Sequence, residues 1–148
     1  GVNYVNAGII ARDRQLQVSE VKESHARENF KSLVTLRQRE GDRIHRMIAG
    51  TVTGEGTPAL VFIDEYRVNV DTPGHLLVAY NIDRPGVIGR VGTLLGENQV
   101  NIAYMQVGRK SVGGQAVMIL GVDNPIPDPV LERLRQMGDL WDVHQVHW

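Results

Sequence analysis

From His75 onward apolar positions change period several times, alternating in runs of seven or eight and then recurring every three to four residues. The pattern predicts strands over residues 75–82, 100–107, 116–122 and 140–146, and helices over 87–98 and 129–137. That order is βαββαβ. Pro127-Asp128-Pro129 sets the start of the second helix, because proline loses nothing in a first turn whose N–H is unbonded, and Gly138-Asp139 ends it. The first half is less regular. Val2, Val5, Ile9, Ile10 and Leu16 fall near helical spacing, so residues 2–16 are predicted helical with Asn3 as the cap. Residues 30–39 alternate, Glu40-Gly41-Asp42 supplies a turn, and 44–52 returns as the second arm of a hairpin. Two short strands follow at 59–63 and 66–70, around Asp64-Glu65. Asp71-Thr72-Pro73-Gly74 gathers turn formers, so the domain boundary is expected there, giving domains at 1–72 and 75–148. Two helices on one face of a four-stranded antiparallel sheet leave the other face and an edge open, and such an edge invites a second copy. A two-fold homodimer is expected.

The junction of the first C-terminal strand with its helix, Asn81-Ile82-Asp83-Arg84-Pro85-Gly86-Val87, carries the most chemistry, together with Val100-Asn101-Ile102 downstream. Asp83 is suited to cap the helix and Pro85 to occupy its first position, so the helix is expected to begin near Pro85. Gly86 permits close approach of a ligand, and the free N–H groups behind it favour a carboxylate or phosphate. The same residues also read simply as a cap with packing glycines. Glycines 86, 89, 92 and 96 line one side of the helix, a side expected to lie close to a sheet or another helix. Their spacing is not G-x-G-x-x-G, and no nucleotide site is read there.

Composition narrows the function classes. Lys plus Arg total 16 against 17 Asp plus Glu, and Arg37, Arg39, Arg43 and Arg46 are interleaved with Glu40 and Asp42, which reads as a solvated hairpin rather than a phosphate-binding patch. The chain has no cysteine, which removes thiolate catalysis, disulfides and Cys-type zinc sites and suits a reducing, cytoplasmic setting. No basic leader and no long apolar run is present, so neither export nor membrane spanning is expected. No nucleophile–base pair or metal-ligand cluster is apparent. His144 and His147, three apart, fall on opposite faces of a strand, and His25, His45 and His75 have no partner at ligand spacing. Trp141, Trp148, Tyr104 and Met105 read as packing or dimer-edge residues, and Gly108-Arg109-Lys110 with Gly113-Gly114 as a hairpin turn that could also take an anion.

Residues 75–146 resemble an ACT domain, the amino-acid-binding regulatory module. The runs DRPGVIGRVGTLLG, VNIAYMQVGRK and GGQAVMIL are similar to the C-terminus of the D-3-phosphoglycerate dehydrogenase family. Val2-Asn3-Tyr4-Val5-Asn6-Ala7 resembles part of that family's intervening, or allosteric substrate-binding, domain, which directly precedes the ACT module. The resemblance implies an α+β chain: a ferredoxin-like βαββαβ ACT domain preceded by a partial α+β intervening domain. It implies a regulatory C-terminal fragment without catalytic residues or cofactor of its own. The intact enzyme would use NAD to oxidise 3-phosphoglycerate towards L-serine, and L-serine would inhibit it from the ACT dimer interface. Carried over by residue, Asp83 would face the ligand ammonium and Asn81 its hydroxyl or carboxylate. The turn Arg84, Pro85, Gly86 and Val87 would hold the carboxylate, and Asn101 with Ile102 would reach in from the other protomer. Asn81 leaves the effector open to glycine or another small amino acid. Ile63-Asp64-Glu65-Tyr66-Arg67 places two carboxylates where some relatives gather cations, which argues against their anion site, and Arg67 reads as a surface strand residue. Two other readings remain: the regulatory region of an iron–sulfur L-serine dehydratase, against which VNYVNA and MQVGRK weigh, and a ligand-free dimerisation module.

Overall fold

The computed structural model describes residues 1–22, 30, 32–70 and 74–147. Residues 71–73 of the linker expected at 71–74, His25, Trp148 and Lys31 at the start of the first hairpin arm lie outside the described residues. In chain order the elements are α1 (Ala7–Asp13), β1 (Val34–Glu40), β2 (Arg43–Val52), β3 (Pro58–Ile63) and β4 (Tyr66–Val70). There follow β5 (His75–Ile82), α2 (Val87–Glu97), β6 (Ile102–Arg109), β7 (Gln115–Val122), α3 (Asp128–Arg135) and β8 (Leu140–His147). Two antiparallel sheets result, ordered β1-β2-β3-β4 and β6-β7-β5-β8, and the second with α2 and α3 is the predicted ferredoxin-like βαββαβ unit. The chain is α+β.

Why β7 sits at the centre is visible in its residues. Every position after Gln115 is buried, because both faces of the second sheet are covered. Met118 and Leu120 face the helices, packing with Leu77, Val91, Leu95 and Leu134. Val117 and Ile119 face the opposite way, onto Tyr66, Val68 and Val70 of β4. The expectation of a vacant second face is therefore corrected: the chain's own first sheet fills it. Gly108 of β6 permits the approach, since a Cβ there would lie 3.0 Å from the Tyr66 Cβ and 3.2 Å from the Arg67 carbonyl oxygen. Asn69 N–H also donates to the Gln106 side chain at 2.6 Å across the same junction.

An ion cluster fastens the two sheets. Arg46 of β2 donates to Asp64 at 3.0 Å and pairs with Asp142 of β8, while its guanidinium lies 5.1 Å from the centre of the Tyr80 ring. The Tyr80 hydroxyl donates to Asp64, Trp141 stacks on Tyr80, and His144 pairs with Asp142 at 2.6 Å. Both carboxylates sit on left-handed backbone, Asp64 at φ 50° and Asp142 at φ 52°, a conformation that Asp tolerates better than most residues. Arg46 is thus not the solvated hairpin cation of the sequence reading. Lys110 pairs with Glu65 at the same junction.

Two further expectations change. The first helix is one short stretch with no buried residue, capped after Asn6; Asn3 instead accepts from the Val5 and Asn6 N–H groups at 2.9 and 3.0 Å, holding a turn ahead of the helix. Among the described residues nothing packs on the glycine side of α2: a Cβ at Gly89, Gly92 or Gly96 would meet no neighbouring atom within 4 Å, and the helix buries Val87, Val91, Leu94 and Leu95 instead. The His75 ring stacks on that of His147 at 4.3 Å.

Candidate functional site

The junction after β5 is built differently from the capping scheme. Helix α2 starts at Val87, and its cap is Gly86 at φ 89°, a backbone only glycine adopts without strain. Pro85 therefore precedes the helix rather than opening it. Asp83 makes no capping bond, because its backbone is drawn away: its N–H donates to Gly114 at 2.8 Å, fixing the end of β5 to the β6–β7 turn. Its carboxylate is left to accept from Arg109 Nη1 at 2.8 Å. That hydrogen bond first, with a backbone bond from Gly113 and the Arg109 charge, holds the Asp83 carboxyl below the usual carboxylate range against partial burial. Asp83 is ionised at neutral pH.

Register places the neighbours. Ala116 of β7 pairs with Asn81 of β5 on one side and Arg109 of β6 on the other, so the three form one cross-strand row directly below Asp83. Directly opposed residues share a face of the sheet, and this row lies on the helix side. Asn81 is 3% exposed; its amide nitrogen donates to the Ile82 carbonyl at 2.9 Å, while its buried Oδ1 has no hydrogen-bond partner among the described residues. An acceptor in that position costs free energy until something donates to it.

Asn101 and Ile102 lie elsewhere. They stand at the opposite end of β6, with Ile102 against Val122 while Arg109 is against Ala116, and Asn101 is occupied with Asp123 at 2.8 Å. Eight residues of strand at roughly 3.3 Å each separate Asn101 from the Asp83 turn by about 25 Å. One copy brings together Asn81, Asp83, Arg84, Pro85, Gly86 and Val87, but not Asn101 or Ile102. Arg109 is the site neighbour that the sequence reading left in a hairpin turn; its signal was the β6–β7 pairing, which returns residue 109 to the end of β5.

Two hollows lie nearby, neither of them lined by Asn81, Asp83 or Arg109. One of about 360 Å³ lies between α2 and α3 and is lined by Arg90, Leu94, Arg133 and Met137 among others. The other, about 280 Å³, lies between the sheets beside the ion cluster, with Leu60, Val78 and Ile119 in its wall. Among the described residues no group of three or more His, Asp or Glu side chains could hold a metal, and no helix is long and apolar enough to cross a membrane. Among the described residues both sheets are antiparallel, and the turn before α2 lacks the G-x-G-x-x-G spacing of a βαβ dinucleotide motif.

Comparison with known proteins places these elements in a family. Residues 75–139 match the ACT domain, and residues 1–64 match the D-3-phosphoglycerate dehydrogenase intervening domain. The chain pairs an intervening domain with an ACT domain. Its similarity to the D-3-phosphoglycerate dehydrogenase of Synechocystis sp. is 37% identity, covering 98% of this chain and 26% of that protein. For the enzymes of the same name from Methanocaldococcus jannaschii and Bacillus subtilis the identities are 38% and 36%, over 97% and 96% of this chain and 26% and 27% of theirs. The chain spans about a quarter of the length of these relatives. It corresponds to their C-terminal regulatory region.

Proposed function

We propose that this chain is the regulatory part of an NAD-dependent D-3-phosphoglycerate dehydrogenase, divided into an intervening domain over residues 1–72 and an ACT domain over 75–148. It binds L-serine, or another small amino acid, between the ACT domains of two copies and inhibits the enzyme. Catalysis and the NAD site belong to the remaining three quarters of the length seen in the relatives. Tyr4, Val5, Ile9 and Leu16 are exposed, an apolar surface suited to contact with further protein.

The observation that carries the ligand reading is the pairing of an ionised Asp83 with the partnerless Oδ1 of Asn81 at the mouth of α2. An amino acid's ammonium answers both acceptors, and its carboxylate suits the free N–H groups of the first helical turn. The 25 Å separation of Asn101 is what a two-copy pocket requires. Strand β6 ends its sheet, and antiparallel pairing with its own two-fold copy sets the start of one β6 beside the end of the other. The partner's Asn101 and Ile102 then stand next to Arg109 and the Asp83 turn. Effector and active site need no contact, since a coupling of about 1–3 kcal/mol between two dimer arrangements shifts distant activity several-fold to a hundredfold.

Calorimetric titration of L-serine into the chain tests this. The wild type is expected to bind, and Asp83→Ala and Asn101→Ala each to weaken binding by roughly tenfold or more, the loss for a hydrogen bond to a charged group. Binding that survives both changes removes this pocket; a chain indifferent to every small amino acid is a dimerisation module.

A further inference from the structure

The sequence places Arg109 in a hairpin turn that could also take an anion, and the fold brings that turn to the end of β5. Arg109 Nη1 lies 2.8 Å from Asp83, and the residue shares the Ala116 row with Asn81 and terminates the edge strand at which a second copy would pair. Of the other cations near the turn, Lys110 pairs with Glu65 and Arg90 with Asp139, while Arg84 lies in the turn itself. Ala116 between the two polar residues presents only a methyl group, so the row is low at its middle and tall at both ends.

Resting on the reading of this turn as an amino-acid site, we propose that Arg109 is the ligand's carboxylate-positioning residue. Its guanidinium is bound to Asp83, standing where the ligand's ammonium would bind. When a zwitterion enters, the ammonium takes over Asp83 and the Asn81 Oδ1, and the released guanidinium turns to the carboxylate. One ion pair is exchanged for two, and no charge is left unpaired. A ligand with only one charge cannot do this: an amine without a carboxylate strands Arg109, and an acid without an amine strands Asp83, each at the cost of an unsatisfied charged group. The pair therefore selects for zwitterions. A planar two-pronged donor suits a carboxylate better than an ammonium, so lysine is a partial substitute at this position.

The test compares L-serine with ethanolamine, which keeps the amine and hydroxyl but lacks the carboxylate, by calorimetry on the wild-type chain, Arg109→Gln and Arg109→Lys. Wild type is expected to prefer L-serine by tenfold or more. In Arg109→Gln that preference should shrink by roughly tenfold, with Arg109→Lys between the two. If Arg109 only braces the turn, Arg109→Gln will weaken both ligands equally, and an unchanged preference overturns the assignment while leaving the amino-acid site standing. If the wild type binds no small amino acid at all, both fall together.

Discussion

Leu77→Ala is expected to destabilise the chain by about 2–5 kcal/mol, the largest effect of any single side-chain truncation considered for this fold. Leu77 is fully buried at 0% exposure, lies at the middle of β5 opposite Leu120, and points into the cluster formed with α2 and α3. Its neighbours belong to a sheet covered on both sides, so they have little freedom to collapse into the space vacated, and the cavity term stays near its upper range. At about 2–4 °C per kcal/mol for a chain of this size, the thermal midpoint should fall by roughly 5–15 °C. Val112→Ala, at 85% exposure, is the control and should stay within about 0.5 kcal/mol. A Leu77→Ala midpoint equal to that control would mean the helices do not pack on this sheet as described.

Removing Asp64 is expected to have the second largest effect, because one carboxylate serves three donors from both sheets. It accepts from Arg46 Nη1 at 3.0 Å, from the Met47 N–H at 2.9 Å and from the Tyr80 hydroxyl. Asp64→Ala would leave the Tyr80 hydroxyl and the Met47 N–H without their acceptor, costing about 2–4 kcal/mol, and would put a non-polar residue at φ 50°. The loss should be local. Amide exchange should quicken at Met47 and along β4 while α2 and α3 keep their protection, because their cluster does not involve the first sheet. The same contact predicts an alkaline limit. Burial pushes the Tyr80 phenol well above its usual range, the Asp64 hydrogen bond and charge push it further, and Arg46 only partly opposes them. A phenol raised in the folded state stabilises fully below its unfolded pKa near 10, and that contribution is lost as pH climbs towards the folded value. Wild-type stability should therefore decline above about pH 10 more steeply than that of Tyr80→Phe; parallel alkaline melts would contradict the Tyr80–Asp64 contact.

How much of this was legible in the residues depends on the range of the interaction. The βαββαβ order was, because period and turn chemistry are local: Pro127-Asp128-Pro129 and Gly138-Asp139 bracket α3 within two residues. Local patterning also recovered β3 and β4. The start of α2 was misjudged because Asp83 has two competing partners, and only the fold shows that Gly114 and Arg109 take it from the helix cap. The covered second face was in principle readable. Residues 116–120, Ala-Val-Met-Ile-Leu, do not alternate, which is the mark of a strand buried on both sides, whereas the two helices of the module are enough to cover only one face. Arg46 could not have been separated from the other hairpin arginines, since Asp64 and Asp142 are eighteen and ninety-six positions away. At the site, Asn81 and Asp83 stood out through their place at a strand end before a glycine turn. Arg109 did not, because its relevance is created by register alone.

The central claim is that the ligand pocket takes Asp83 from one copy and Asn101 from another, and complementation between damaged copies tests it most directly. Asp83→Ala and Asn101→Ala chains are prepared separately, each expected to bind L-serine poorly, then exchanged into mixed dimers and titrated again. In a mixed dimer one pocket carries both substitutions and the other carries neither, so binding should return at near wild-type affinity with about one site per heterodimer. A mixture that binds no better than its two components would place both residues in the same copy's pocket, or in none, and would contradict the account.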